Sequence, residues 1–276
     1  MTTDLASMLN VARDAVQLGT RRLKTQSVRQ VTAKGIRDVA TDLDHAVEGE
    51  ILAFLAARTP GIDRFGEESG GNLTTPLRWV LDPVDGTLNL VHGLPLYGVS
   101  LALTDGVRPL LGVISLPALE RTYWGAPGIG AWRDGTPIAP STVNNLPDAM
   151  VAIGDYGTGD DAPERNAVAI ALHAALAPVA GKVRMLGSAA VDLALVADGT
   201  LDASITLGNR DWDMAAGVAV AQAAGAAVTD TDGSPHESRS QTTIALAPGL
   251  TGDVLRVLAG ATVGTRYAPD RRATSC

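Results

Sequence analysis

The residues best suited to chemistry stand in one short stretch, W-V-L-D-P-V-D-G-T-L-N-L-V-H-G, which spans residues 79–93. It places two carboxylates, Asp82 and Asp85, on either side of a proline turn that directly follows an apolar run. The proline interrupts a strand ladder, and Gly86 permits the close backbone approach that an anion needs. This layout is typical of a site that holds metal ions beside a phosphate. The backbone amides of Gly86 and Thr87, at a helix start, would also bind that phosphate.

A third carboxylate, Glu67, stands in the segment D-R-F-G-E-E-S-G-G, at the predicted end of a short strand. Magnesium prefers hard oxygen ligands, and it combines a few carboxylates with the phosphate of the substrate. The carbonyl of Val84, exposed by the turn, would add a neutral ligand. Carboxylates this close together repel one another and take up protons unless a cation neutralises them. On an extended chain only one of Glu67 and Glu68 would face inward, and the other would meet solvent or a basic partner.

A second acidic motif, D-W-D-M-A-A-G, spans residues 211–217 and places Asp213 at a helix N-terminus. Both acidic motifs have a structural alternative. Aspartates in D-P-x-D-G also cap the amides of a turn, and Asp213 alone is better explained as a helix cap. The apolar residues on both sides of Asp82 and Asp85 favour a metal, since a deeply placed acidic turn needs a neutralising partner.

Composition limits the classes of protein that this chain can be. Its 276 residues are 46% hydrophobic, enough for one large domain or two lobes, and its formal net charge of −8 offers no basic field for nucleic acid. No apolar stretch is long enough to span a bilayer. The N-terminus lacks the pattern of a secretory signal, and the single cysteine, Cys276, excludes a disulfide framework. We therefore expect a cytoplasmic protein.

The elements that position these residues divide the chain into two halves. Periodicity predicts amphipathic helices over 4–24 and 38–58, followed by strands and antiparallel hairpins to about residue 137. Alternating strands and helices then follow, with strands at 151–153, 183–186, 203–207 and 244–247, and helices at 163–177, 188–197, 213–224 and 249–259. We predict an α+β lobe over 1–145 that carries the metal and phosphate motifs, an α/β lobe over 146–264 that completes the site, and a flexible tail over 265–276.

Four motifs together resemble the inositol monophosphatase family, whose members are lithium-sensitive, magnesium-dependent sugar-phosphate phosphatases. The motifs occur in the order of the family, and the resemblance runs from about residue 5 to residue 260. They are G-E-E-S at 66–69, W-V-L-D-P-V-D-G-T-x-N at 79–89, G-S-A-A at 187–190 and W-D-x-A-A-G at 212–217. The resemblance implies the layered αβαβα sandwich of the inositol monophosphatase and fructose-1,6-bisphosphatase type, and a homodimer.

The resemblance also implies roles for single residues. The ligands of two or three magnesium ions would be Glu67, Asp82, the Val84 carbonyl, Asp85 and Asp213. The attacking water would be activated by Thr87 together with Glu67 and an acid, which the match of D-V-A-T-D-L-D to the D-x-V-T-x-x-D of the family identifies as Asp44. Gly86 and Thr87 would hold the phosphate, and water would displace the alcohol in line without a phosphoenzyme.

Substrate contacts are implied for the turn Gly187, Ser188 and Ala189 and for residues 206–211, among them Thr206, Asn209 and Arg210. Inositol-hydrolysing members have an acid where this chain has Thr206. The loss of that ionised hydrogen-bond acceptor would weaken the interaction with inositol by about 1.5–3 kcal/mol. For Lys34 and Arg184 the sequence allows two roles, phosphate binding or a surface or ion-pair role.

The predicted substrate is a small phosphate monoester of a polyol, sugar, amino alcohol or nucleoside. One alternative is a histidinol-phosphate phosphatase or another specialised sugar or nucleoside phosphate phosphatase. A second alternative, of a different class, is a non-catalytic regulatory or binding member of the family. The complete set of acids argues against it, because a protein freed from catalysis has no physical need to keep buried acids together.

Overall fold

The computed structural model describes residues 4–36, 38–72, 74–208 and 210–269. Within these ranges the chain forms seven α-helices and fifteen β-strands. The helices are α1 (Leu5–Thr25), α2 (Asp42–Arg58), α3 (Thr87–His92), α4 (Ala162–Leu176), α5 (Ala189–Ala197), α6 (Asp211–Ala224) and α7 (Thr251–Ala261). The strands are β1 (Val31–Gly35), β2 (Asp38–Thr41), β3 (Asp63–Gly66), β4 (Gly70–Gly71), β5 (Arg78–Asp85), β6 (Gly98–Thr104), β7 (Pro109–Leu116), β8 (Arg121–Ala126), β9 (Gly130–Arg133), β10 (Thr136–Pro137), β11 (Met150–Ile153), β12 (Lys182–Arg184), β13 (Ala203–Leu207), β14 (Ala227–Thr229) and β15 (Thr242–Leu246).

Five layers of secondary structure stack on one another. An eight-stranded sheet has the order β10-β9-β8-β7-β6-β5-β3-β4, and a five-stranded sheet has the order β12-β11-β13-β15-β14. One hydrophobic cluster packs α1 and α2 on the larger sheet, a second packs α5 and α6 between the two sheets, and a third packs α4 and α7 on the smaller sheet. The predicted αβαβα sandwich is confirmed.

The larger sheet is covered by helices on both faces, and its central strands are therefore buried throughout rather than alternating between buried and exposed. Every residue of β6 is buried, as is every residue of β5 except Asp85. Helix α6 comes close enough to β7 that a Cβ at Gly112 would overlap the backbone of Ala216. This approach brings the start of α6, with Asp213, toward the larger sheet.

Helix α2 begins four residues later than the periodicity predicts. Residues Asp38–Thr41 form β2, which pairs antiparallel with β1. The Thr41 side chain caps the helix, and the Asp44 carboxylate accepts a hydrogen bond from the Thr41 amide in return, which completes a capping box. The box fixes the helix start and holds Asp44 in its first turn.

The C-terminal segment also differs from the prediction in part. Tyr267 is 2% exposed and packs in the cluster around α4 and α7, while Arg266 lies 2.7 Å from Asp161. Residues 265–269 are therefore packed rather than frayed, because an aromatic side chain buries its ring even in a polar segment. The rest of the predicted tail, with Cys276, lies outside the described residues. The predicted lobe boundary after residue 145 falls between β10 and β11 and remains a prediction. Across the described ranges, the helices are too short or too polar to cross a bilayer.

Candidate active site

A cavity of about 480 Å³ lies where the two halves of the chain meet. Residues from the β5–α3 turn line one wall, and residues from β13, α5 and α6 line another. The predicted site residues that line it are Glu67, Asp82, Val84, Asp85, Gly86, Thr87, Gly187, Ser188, Ala189, Thr206, Arg210 and Asp213. The remaining one, Asp44, lies just behind the wall and reaches it through Thr87. Asn209 is outside the described residues.

The end of β5 is shaped by a break in its pairing. The register with β6 shifts between Asp82 and Asp85, and the Asp82 carboxylate accepts a hydrogen bond from the Val84 amide at 3.0 Å. Gly86 follows with φ +88°, and a Cβ there would lie 2.8 Å from the Leu96 carbonyl oxygen. Only glycine fits this position, which turns the chain from the strand into helix α3.

Two side chains of the first half fasten the 187–189 turn of the second half to the cavity. The Asp85 carboxylate accepts hydrogen bonds from the Ser188 hydroxyl at 2.9 Å and from the Ala190 amide. The Asn89 amide donates to the carbonyls of Leu96 and Leu186 at 2.7 and 2.8 Å. The turn predicted to contact substrate is therefore held directly beside the acidic turn.

The acids of the site lie close enough to perturb one another. Burial raises the pKa of Asp82 well above its usual value, and the charges of Glu67, Asp85 and Asp213 raise it further. Burial also raises the pKa of Asp85 to about 6, although the hydrogen bonds from Ala190 and Ser188 oppose the rise. The pKa of Asp213 is raised by burial and then by Asp85 and Glu67. Full ionisation of this cluster requires a nearby positive charge.

Lys34 supplies one positive charge. Its ammonium group lies 2.7 Å from a Glu67 oxygen and 2.8 Å from a Glu68 oxygen. Burial opposes the charge of Lys34, but the hydrogen bonds to both glutamates raise its pKa overall. Of the two roles left open for Lys34, the structure shows the ion pair. Arg184 donates to the Val183 carbonyl at 3.0 Å and does not line the cavity.

Glu67 lines the cavity and Glu68 meets a basic partner, Lys34, but strand alternation is not the reason. Both residues lie in the turn after β3 rather than in an extended strand, and both carboxylates face Lys34. The turn is held from below by a buried acid on α2, because the Glu48 carboxylate accepts hydrogen bonds from the amides of Glu68 and Ser69 at 2.9 and 2.7 Å. Sequence analysis missed Glu48, although an acid on the apolar face of a predicted helix was a usable signal.

The donor atoms of the cluster fit a hard cation such as magnesium. They are carboxylate oxygens and one backbone carbonyl, and burial and mutual repulsion raise the pKa of Asp82 and Asp213, so a bound cation would favour their ionised forms. In the described part of the chain, however, no three acidic, histidine or cysteine side chains already converge as in a filled metal site. The carboxylates are instead hydrogen-bonded to protein groups: Lys34 donates to Glu67, and Ser188 donates to Asp85.

Thr87 and Asp44 meet although 43 positions separate them in the sequence. The Thr87 hydroxyl lies 3.0 Å from Asp44 Oδ1 and 2.8 Å from the Val84 carbonyl oxygen. The other Asp44 oxygen accepts hydrogen bonds from the hydroxyl and the amide of Thr41 at 2.5 and 2.9 Å. Burial raises the pKa of Asp44, and these hydrogen bonds partly offset the rise. The pair forms a hydroxyl–carboxylate relay at the cavity wall.

The wall of the cavity opposite the β5–α3 turn carries the residues predicted to contact the substrate and several charged residues. Thr206 lies near the end of β13, beside Gly154. Arg210 is exposed, and its guanidinium lies 5.6 Å from the centre of the Trp212 ring. Sequence analysis missed three charged residues of this wall, Asp155, Arg165 and Asp192. For Asp192 a signal existed, since it is the single charged residue in the otherwise apolar helix A-A-V-D-L-A-L-V-A.

A five-layer sandwich encloses an acidic cavity between its two halves. Comparison with known proteins gives the family. The profile of the inositol monophosphatase family, a family of phosphoric monoester hydrolases, matches residues 3–269. The chain belongs to this family, which confirms the predicted resemblance.

Individual relatives agree with that assignment. Inositol-1-monophosphatase ImpA of Mycolicibacterium smegmatis is 36% identical over 222 residues, which cover 80% of this chain and 80% of that protein. The fructose-1,6-bisphosphatase/inositol-1-monophosphatase of Aquifex aeolicus is 30% identical over 231 residues, covering 82% of this chain and 86% of that protein. The structure of the inositol monophosphatase from Anabaena (Nostoc) sp. matches with a TM-score of 0.82 at 29% identity, over 94% of this chain and 97% of that chain.

Proposed function

We propose that this protein is a magnesium-dependent phosphomonoesterase that hydrolyses the phosphate ester of a small polyol or sugar. One observation carries the proposal: buried acids that raise one another's pKa line a cavity next to a paired hydroxyl and carboxylate. Glu67, Asp82, Asp85 and Asp213, with the Val84 carbonyl, would hold two or three magnesium ions. Bound magnesium would neutralise the phosphate and lower the pKa of a water molecule.

Side chains and backbone amides of the protein would orient the attacking water, accept its proton and hold the phosphate. The Thr87 hydroxyl, held by Asp44, would position the attacking water together with Glu67, and the Asp44 carboxylate would favour transfer of the water proton toward the relay. As the first amides of α3, the N–H groups of Gly86 and Thr87 have no acceptor within the helix and would bind phosphate oxygens. The phosphate would therefore be held for in-line attack without a covalent intermediate.

The leaving alcohol would lie against Gly187, Ser188, Ala189, Thr206 and Arg210. Relatives named as inositol-1-monophosphatases support a polyol, and the Aquifex relative's name adds a sugar bisphosphate. Thr206 supplies a hydroxyl in place of the acid expected for inositol-hydrolysing members. Histidinol phosphate and nucleoside phosphates remain alternative substrates, and a non-catalytic family member remains the alternative class. A cytoplasmic location, lithium sensitivity and a homodimer are proposed from the family resemblance alone.

Phosphate release from a panel of monoesters tests this function. The panel contains inositol 1-phosphate, glycerol 2-phosphate, fructose 1,6-bisphosphate, histidinol phosphate and a nucleoside monophosphate. We expect magnesium-dependent release that is fastest with a polyol or sugar phosphate, and no release above the uncatalysed rate after chelation, because the acids cannot be neutralised without the metal. Calcium in place of magnesium is the matched control for ion binding without the same coordination geometry. Release that persists in chelator would contradict the metal requirement, and no release from any ester would favour the non-catalytic alternative.

A further inference from the structure

Asp192 is a buried acid, and one of its carboxylate oxygens has no hydrogen-bond partner in the described part of the chain. It lies in the first turn of α5, is 2% exposed, and lines the same cavity as the acidic turn. Its Oδ1 atom is buried and has no hydrogen-bond partner among the described residues. It does not cap its helix, because the Ser188 side chain accepts the hydrogen bond from the Val191 amide.

In the protein without a ligand, the surroundings of Asp192 disfavour the ionised form of its carboxylate. Burial raises its pKa well above the usual value, and the charges of Asp85 and Asp155 raise it further. A buried polar group is ordinarily paired, so an unpaired one at a cavity wall indicates that a ligand supplies the partner. The phosphate is not that partner, because two anionic groups repel each other. Among the parts of the substrate, the alcohol is therefore the one that can offer Asp192 a hydrogen-bond donor.

We infer that Asp192 is a specificity residue that hydrogen-bonds a hydroxyl of the leaving group and so selects phosphate esters of polyols. The inference rests on the proposed function and extends it to a residue outside the expected substrate contacts. The wall that carries Asp192 and Asp155 also carries Arg165 and Arg210, so it has no net charge that would select a cationic leaving group. A hydroxyl pairs with Asp192 in either protonation state of the carboxyl group.

Kinetics of Asp192→Ala on three esters test the inference. With inositol 1-phosphate we expect kcat/KM to fall by about 10- to 100-fold, because a hydrogen bond to a buried carboxyl is lost. With phenyl phosphate, whose leaving group has no further hydroxyl, we expect a loss of about threefold at most. Phosphoethanolamine, with an ammonium group, should follow phenyl phosphate. Asp198→Ala at the other end of α5 is the matched control and should leave the ratio between the substrates at its wild-type value.

Equal losses on all three esters would overturn the inference and assign Asp192 a structural role, as would a loss greatest with phosphoethanolamine, which would indicate a cation site. Binding of free inositol, followed by saturation-transfer NMR, provides a readout without turnover. We expect binding by the wild type and its loss in Asp192→Ala, whereas equal binding would contradict the inference. Failure of the proposed function is a separate result, since it appears as wild-type protein that releases no phosphate from any of the esters.

Discussion

Asp85→Asn is expected to lower kcat for every ester by about 10³-fold or more while the protein stays folded. Asp85 lies at the centre of the site, where it contacts Ser188 and Ala190 of the second half and perturbs the pKa of Asp82 and Asp213. Asparagine keeps the shape but removes the charge that a magnesium ion needs, and such charge stabilisation is worth several kcal/mol in the transition state. Steady-state kinetics with saturating magnesium measure the loss.

Stability separates this effect from unfolding. The folded pKa of Asp85 is about 6, above the usual 3.8. The folded state therefore holds the proton more tightly, and without metal the stability from this group falls as the pH rises through that interval. Because asparagine is never charged, the variant should be at least as stable as the wild type in metal-free buffer near neutral pH, as measured by thermal unfolding.

Asp202→Asn is a matched control for Asp85→Asn. Like Asp85, Asp202 accepts hydrogen bonds from one hydroxyl, that of Ser141, and one amide, that of Met150, but it lies away from the cavity. The control should retain kcat within about threefold, since it touches no reacting group. Near-normal turnover in Asp85→Asn, or an equal loss in Asp202→Asn, would contradict the assigned metal site.

Thr87→Val is expected to lower kcat by about 10²- to 10⁴-fold, the range for loss of a group that positions and deprotonates the nucleophile. Valine has nearly the same shape as threonine but cannot hydrogen-bond to Asp44 or to the Val84 carbonyl. The attacking water would lose its orientation, whereas the acids that bind metal would remain. Stopped-flow or steady-state phosphate release measures the effect, and the KM for magnesium should change much less than kcat.

Thr87→Ser tests whether the hydroxyl itself is responsible, because serine restores it and should recover most of the activity. Thr104→Val is the matched control: its hydroxyl also donates to a backbone carbonyl, that of Arg108, but at the far end of β6. A Thr87→Val variant with activity close to wild type would remove Thr87 from the mechanism. Equal losses in the valine and serine variants would point to packing instead.

The sequence contained enough information for the acidic turn because its signals are local. A proline, two aspartates and a glycine within five positions, between apolar runs, constrain the backbone strongly, and the structure shows the same break in β5 and the same positive φ at Gly86. The change of pattern near residue 150 predicted the two halves of the chain, whereas the five-layer architecture came from the family resemblance. The pairing of Thr87 with Asp44 came from the family motif, since no local rule joins residues so far apart.

Other features depend on contacts between distant segments and were not predictable in this way. Lys34 turns both Glu67 and Glu68 toward itself, and strand alternation does not apply in the turn that carries them. The cap at Thr41 delays the start of the second predicted helix to Asp42, because a capping box outweighs periodicity at a helix start. Asp192 became visible only when its helix was placed against the cavity, because its lack of a partner is a property of the fold.

If the acids of the two halves form one metal site, manganese, used in place of magnesium, should bind at that site and can be located there by its anomalous scattering. Crystals soaked in manganese chloride give an anomalous difference map in which each bound ion appears as a peak. We expect peaks within ligand distance of Asp82, Asp85 and Asp213 and beside Glu67, at about 2.0–2.3 Å from their oxygens. A map with no peak at these four residues, or with peaks only elsewhere on the protein, would contradict this metal site.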